Sequence, residues 1–447
     1  HEGAPPTVHL RPAEPTEPTP EPQPEPTPEP APEPEPEPEP EIVYDPVYGF
    51  DAYPTEHYLL YCEGTPEGKG DVAMRLEAAY ADYARDMAEV SHAYDAKHPA
   101  FFFTDKATHD ATFAPGESPG TGAVFFVPDP RLNDSVGPRL VLHRAVDGMH
   151  YERSRLIQHE GWHQFNWFHV REASPVWLDE GLGYYYGNGT WTGDKTYYNA
   201  IPLEILMIIA PLQTELPDAV PVRDYFQHLP LEQLMGLDDY GWASARDQLG
   251  FFVPNKEAWS LIYFLKHAEG GKHTTLLDAY IADVAAGNDL TDSTDAILAL
   301  EDKWRDWVFA IEFTTGHGAI FEATASSLAG HLARAQINGQ TFANADEFLD
   351  ACRAGELDLG PVGSETWLPP SVMQQTMRYI DQIYGPRYTA YYGAPWVIST
   401  SGEGSIPAIR LQVAEAGIDI QATAAVTDGT VTDVTVTGQE TFLPGMR

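Results

Sequence analysis

Residues 156–186 read LIQHEGWHQFNWFHVREASPVWLDEGLGYYY. His159 and His163 stand four residues apart, so on a helix they share one face, one turn apart. Two imidazoles so placed can hold one metal ion, and Glu160 beside them can act as general base toward a water that the ion activates. Leu156, Ile157 and Phe165 give such a helix apolar positions to bury. Seventeen residues past His163, the segment Trp177-Leu178-Asp179-Glu180-Gly181 offers a third ligand. The competing reading is a solvent-facing helix with two ordinary histidines. Chelating spacing, a glutamate placed for base work and a second acidic segment at short range together favour the metal.

Two residues compete for the third position. Glu180 would complete a set of two histidines and one carboxylate with an open place for water. His169 lies ten residues after His159, the spacing of the metzincin pattern HExxHxxGxxH. Asn166 stands at the glycine of that pattern, and Asn tolerates left-handed φ better than most residues. Met207 and Met235 sit in no evident Met-turn. Glu180 is the favoured ligand.

Working outward, 447 residues allow two or three domains and a substantial core. With 43% hydrophobic and 12% aromatic residues, most of the chain is expected to be globular. No apolar run reaches the ~18–20 residues of a membrane helix. The chain opens at His1 and not Met, which fits a removed leader or trimming. The net charge is −41, and about −11 of it belongs to residues 1–46, which hold 12 acids and one Arg. No basic patch is present to neutralise phosphates, so nucleic acid is excluded as a partner. The acidity suits an exported or salt-tolerant protein, and equally serves solubility alone. Cys62 and Cys352 fit no metal spacing. They are expected to be buried thiols, or one long-range disulfide if the protein is exported.

Seventeen of the 39 prolines fall in residues 1–46, mostly in a Pro-Glu repeat. Proline at alternate positions removes backbone donors and favours polyproline II, and the tract cannot bury a core. It is expected to be a disordered spacer that tethers an exported domain to a surface or wall. Order is expected from residue 47. Residues 56–63, 100–104, 121–127 and 138–146 read as strands, and 71–94 carries an apolar stripe at helical spacing. Together with the His159 helix these make a mixed sheet-and-helix layer. Beyond Glu180 the pattern is mainly helical: 203–212, 257–268, 274–286 and 293–315, with 213–250 mostly loop. A helical extension is expected over 316–395, with helices at 345–353 and 370–384. A small β-rich region over 396–447 shows alternation at 409–413, 418–423 and 431–436. The fold class is α+β.

The pair HEGWHQF (159–165) and PVWLDEGLGYYYG (175–187) resembles the gluzincin zinc metallopeptidases, above all bacterial families called peptidase-MA-like, distantly related to the gluzincin aminopeptidases. The opening strand EHYLLYCEG, the helix AWSLIYFLKH and the later DKWRDWVFAIE fall in the family's order, so the resemblance spans about residues 48–315. It implies a thermolysin-like catalytic domain over 47–315, with zinc on His159, His163 and Glu180. It also implies Glu160 as the base that passes a proton from water to the leaving amine, and Asp179 as a partner orienting a ligand histidine.

The chain departs from the aminopeptidase pattern twice. Asn255 stands where those relatives place the tyrosine that steadies the oxyanion, with Tyr240 or a tyrosine of 184–186 as substitutes. Losing one such donor costs about 10²–10³ in rate. The edge strand Gly122-Ala123-Val124-Phe125-Phe126 lacks the acid that anchors a free amino terminus. The expected activity is therefore zinc-dependent hydrolysis of peptide or protein substrates, as an endopeptidase more than an aminopeptidase. The alternative is an exported zinc-bearing binding module with little turnover.

Overall fold

Alternation along three central strands builds the first layer. The computed structural model describes residues 44–103, 106–113, 123–128, 136–143, 151–171, 174–193, 195–198, 201, 229–249, 253–311, 318–360, 370–393, 396–400, 408–414 and 417–438. The Pro-Glu repeat and the stretch 203–212 lie outside them. Strands β1 (Ala52–Pro54), β2 (Tyr58–Cys62), β3 (His98–Phe103), β4 (Ala123–Phe126) and β5 (Arg139–His143) form one sheet in the order β1-β2-β3-β5-β4. β2, β3 and β5 are parallel, and the two outer strands run antiparallel to their neighbours. Successive side chains alternate between faces. Leu60, Cys62, Ala100, Phe102, Leu140 and Leu142 form one buried face with Val72, Leu76 and Ile157. Tyr61, Phe101, Phe103 and Val141 form the other, against Phe113, Val47 and Phe50.

Helix α1 (Pro66–Asp86) joins β2 to β3. It starts earlier than the apolar stripe indicates, because the Thr65 side chain caps it by accepting from the Gly68 amide and Pro66 fits a first turn. After α2 (Lys106–Thr112), α3 (Tyr151–Phe165) carries the histidine pair and continues as a π-helical turn, Asn166–Val170. Next come α4 (Val176–Gly187) and the short hairpin β6 (Thr190–Trp191) and β7 (Thr196–Tyr197). The helical half holds α5 (Leu231–Met235), α6 (Asp239–Leu249), α7 (Val253–His267), α8 (Thr274–Ala286), α9 (Thr291–Leu298) and α10 (Glu301–Phe309). The single helix expected over 293–315 is thus two, and the break puts Glu301 and Asp302 in a new first turn, where acids are favoured.

Trp177, Leu178, Leu182 and Tyr185 of α4 share one core with Ala258, Trp259 and Ile262 of α7. Gly181 permits this approach: a Cβ there would come within 2.8 Å of Ile262 Cγ1 and 3.0 Å of the Ala258 carbonyl. The two buried cysteines are not joined in a disulfide: Cys62 lies beneath the first sheet and Cys352 in the C-terminal core.

That C-terminal core contains α11 (Gly318–Ile337), α12 (Ala345–Ala354), α13 (Pro370–Arg378), a π turn (Tyr379–Ile383) and α14 (Tyr384–Tyr392). It also contains an antiparallel sheet in the order β11-β10-β9-β8: β8 Val397–Thr400, β9 Ala408–Val413, β10 Ile418–Thr427 and β11 Thr430–Gly438. Ala325, Leu328 and Leu332 of α11 pack with Ile409, Leu411, Ile420 and Ala422, so one core runs across the expected boundary at residue 395. The sequence reading does not single out α11. It is buried almost all round from Gly318 to Ala335, so it shows no polar stripe. Its Thr324 hydroxyl returns a hydrogen bond to the Ile320 carbonyl (2.6 Å). The fold is α+β. Among the described residues no helix is long and apolar enough to cross a membrane.

Candidate metal centre

α3 turns His159 and His163 to the same side, and packing against α4 brings Glu180 to them. The two Nε2 atoms lie 3.0 Å apart, and Glu180 Oε2 is 3.6 Å from His159 Nε2. One donor atom from each of the three lies within 4.8 Å of the others. Asp179, the residue before Glu180, backs the second histidine: its Oδ2 is 2.8 Å from His163 Nδ1. Its other oxygen accepts from Asn166 Nδ2 at 2.8 Å, and Asn166 in turn donates to the Ser174 hydroxyl at 3.0 Å. The π turn places Asn166 there. His159 donates to the Gly183 carbonyl. A Cβ on Gly183 would lie 3.0 Å from His159 Cε1 and 3.3 Å from His163 Cε1, so any larger residue there would push on both imidazoles.

Electrostatics divide the two histidines. Burial, reinforced by His163, drives the His159 pKa well below 6.5, so its lone pair is free at neutral pH. Burial pulls His163 down as well, but Asp179, Glu180 and Glu160 override it and raise its pKa to about 10. Burial raises Glu180 to about 7 against the pull of His163. Burial also raises Glu160, opposed by His163 and by the Phe125 amide, which donates to Glu160 Oε2 at 2.9 Å. The proton on His163 faces three carboxylates, Asp179, Glu180 and Glu160. A divalent cation replacing that proton would offset more of their negative charge. Two imidazole nitrogens, one carboxylate oxygen and an orienting carboxylate behind a ligand histidine are the donor set that zinc takes.

The remaining candidates lie elsewhere. His169 faces away: its Nε2 is 3.0 Å from His98 Nε2, and its Nδ1 meets the His92 carbonyl. Asn255 falls in the first turn of α7 and donates from Nδ2 to Glu180 Oε2 at 2.9 Å. It therefore steadies the Glu180 carboxylate, which corrects the oxyanion role expected of it. Tyr240 is corrected too. Its side chain is 84% exposed on α6. Arg246 of the same helix acts on Glu180, and Tyr240, six residues earlier, points roughly 120° away around the helix. Of the tyrosines at 184–186, Tyr185 meets His267 and Tyr186 donates to Asp86. The ring of Tyr184 stands perpendicular to His159, centroids 4.8 Å apart.

A second group of metal-type donors, Glu56, His57 and Glu77, is committed locally. Glu77 accepts from the Thr55 hydroxyl, the His57 amide and His57 Nδ1, closing the turn before β2. Sequence reasoning passed over Asn166 and the Phe125 amide. Asn166 drew notice only as a missing glycine, and a backbone donor has no residue signature. The chain matches no family model and no curated protein.

Proposed function

We propose that this chain is a zinc peptidase of gluzincin type with a thermolysin-like catalytic region, acting on extended peptide or protein segments. The observation that carries the proposal is the convergence of His159, His163 and Glu180, with Asp179 behind His163 and Glu160 one residue from the first ligand. Zinc held there would acidify a water molecule and polarise a carbonyl. Glu160 would take a proton from the attacking water as that oxygen adds to the peptide carbonyl carbon, and would deliver it to the leaving amine as the C–N bond breaks. The raised pKa of Glu160 suits both steps.

β4 is an edge strand, and its Phe125 amide reaches Glu160, so the open edge runs beside the base. An extended peptide can add to such an edge through main-chain hydrogen bonds. The described residues of β4 carry no acid to bind a free amino terminus, which favours internal cleavage. Tyr184, against His159, takes the oxyanion role in this proposal. The acidic Pro-Glu tract fits an exported domain held off a surface. Glu160→Gln is expected to abolish peptide hydrolysis while zinc stays bound, and full activity in that variant refutes the assignment. Tyr184→Phe is expected to lower kcat about 10²-fold with little change in KM.

Two observations favour a second reading, a zinc-holding exported module with little turnover: Asn255 is spent on Glu180 and Tyr240 is exposed. A broad peptide-library screen separates the two, since robust zinc-dependent cleavage excludes the module.

A further inference from the structure

A second pair of histidines repeats the geometry of the first. His98 Nε2 and His169 Nε2 lie 3.0 Å apart, the same separation as between His159 and His163. The pair is assembled from distant parts of the chain. His98 opens β3, and His169 sits on the π turn that extends α3. From α1, the Tyr80 hydroxyl comes within 3.4 Å of His169 Nε2. Both histidines are almost fully buried, at 2% and 4% exposure. Phe165 stacks on the His169 ring and Tyr94 on the His98 ring, which holds the pair in place.

The tautomer of His169 is decided by its other nitrogen. Nδ1 faces the His92 carbonyl at 3.0 Å and must donate to it. Nε2 is then a bare lone pair on a buried ring, with its orientation set by a backbone carbonyl, as is usual for metal-ligating histidine. Two groups converge on that lone pair, His98 Nε2 and the Tyr80 hydroxyl, and a single lone pair serves only one of them well as a hydrogen-bond acceptor. His98 Nδ1 is buried with no partner among the described residues, so no hydrogen bond at that nitrogen sets its tautomer. Two nitrogens this far apart can both lie ~2.0–2.1 Å from one ion. Burial keeps both rings neutral: it lowers the His98 pKa to about 3, and it lowers that of His169.

We propose that His98 and His169, with the Tyr80 hydroxyl alongside, form a second site for a borderline divalent transition-metal ion such as zinc, separate from the one at His159. Imidazole donors suit that class of ion. The ion would pin β3 and α1 to the π turn that carries Asn166. The set has no carboxylate, so this site is expected to bind zinc at least about tenfold more weakly than the first.

The test is zinc stoichiometry on the full chain, stripped with chelator, retitrated by calorimetry and checked by metal analysis. Four proteins are compared: wild type, His98→Asn, His169→Gln, and the double variant His159→Asn/His163→Asn. The expected result is two equivalents for wild type and one for each of the others. One equivalent in wild type, lost in the double variant and retained in His98→Asn and His169→Gln, overturns the second site and leaves the first standing. One equivalent in wild type, retained in the double variant and lost with His98, supports the second site and refutes the first. Two equivalents that survive both His98→Asn and His169→Gln also overturn the proposal. If either single substitution unfolds the chain, the double variant decides alone: one equivalent supports the site, and none overturns it.

Discussion

Replacing Asp179 with Asn isolates the charge behind His163. The carboxylate lies 2.8 Å from His163 Nδ1 and is held on its other oxygen by Asn166 at 2.8 Å. Asn keeps the size and one acceptor oxygen, and Asn166 can turn its amide to match, so the local packing survives. What disappears is the negative charge that makes His163 a strong donor. Partners of this kind are worth about 10–100-fold in metal affinity, or ~1.4–2.7 kcal/mol. A second effect opposes the loss. With Asp179 in place His163 holds its proton up to about pH 10, so zinc must displace that proton, and the variant has less to displace. Wild type therefore gains on the variant as pH rises from 6.5 to 8.5, and the full 10–100-fold loss is reached only above about pH 10, where His163 is deprotonated in both proteins. Competition titration against a zinc chelator at both pH values measures it, with circular dichroism confirming the fold. A ratio of wild-type to variant affinity that does not rise between the two pH values would refute Asp179 as the partner of His163 and leave it a helix N-terminal charge.

Gly183→Ala places a methyl 3.0 Å from His159 and 3.3 Å from His163. The metal-free protein is expected to melt within a few degrees of wild type, because alanine favours a helix by about 0.8–1 kcal/mol, while zinc affinity falls more than tenfold; unchanged affinity would contradict the close packing of α4. The zinc-induced rise in Tm should grow from pH 5.5 to 8.5. Glu180 and His163 have folded pKa values of about 7 and about 10, raised above 4.5 and 6.5. The metal-free chain therefore loses their contribution as pH climbs through those windows, and zinc binds the deprotonated forms; a rise independent of pH would count against both. Ser371→Ala removes a hydroxyl donor from the buried Asp71 carboxylate. Urea unfolding should show a loss of about 1–3 kcal/mol, and no loss would mean that the C-terminal core is not anchored through α1.

The histidine pair and its glutamate were legible because helical spacing is a local property. Two residues four apart share a face whatever the rest of the chain does. The same locality made β2, β3, α7, α8 and α12 readable from their periodicity or from turn residues at their ends. α11 was not readable, because a helix buried on every side has no polar face to set against an apolar one. The boundary expected at 395 follows a change in composition, whereas α11 and the strands after it bury the same surface.

Side-chain partnerships across long separations belong to the tertiary structure alone. Asn255 and Glu180 are 75 residues apart, and His98 and His169 are 71 apart. No pattern in the chain distinguishes an asparagine aimed at an oxyanion from one aimed at a carboxylate ligand. That choice was made by α7 starting at Val253, which puts Asn255 in its first turn, and by Gly181 letting α4 settle against α7. Likewise, spacing made His169 a rival ligand, and the π turn swung it to His98 instead. The sequence by itself determined which residue types stand one helical turn apart and which segments have a face to bury. Which distant group each polar side chain meets was decided by how closely the helices pack, and at α4 that distance is set by two glycines.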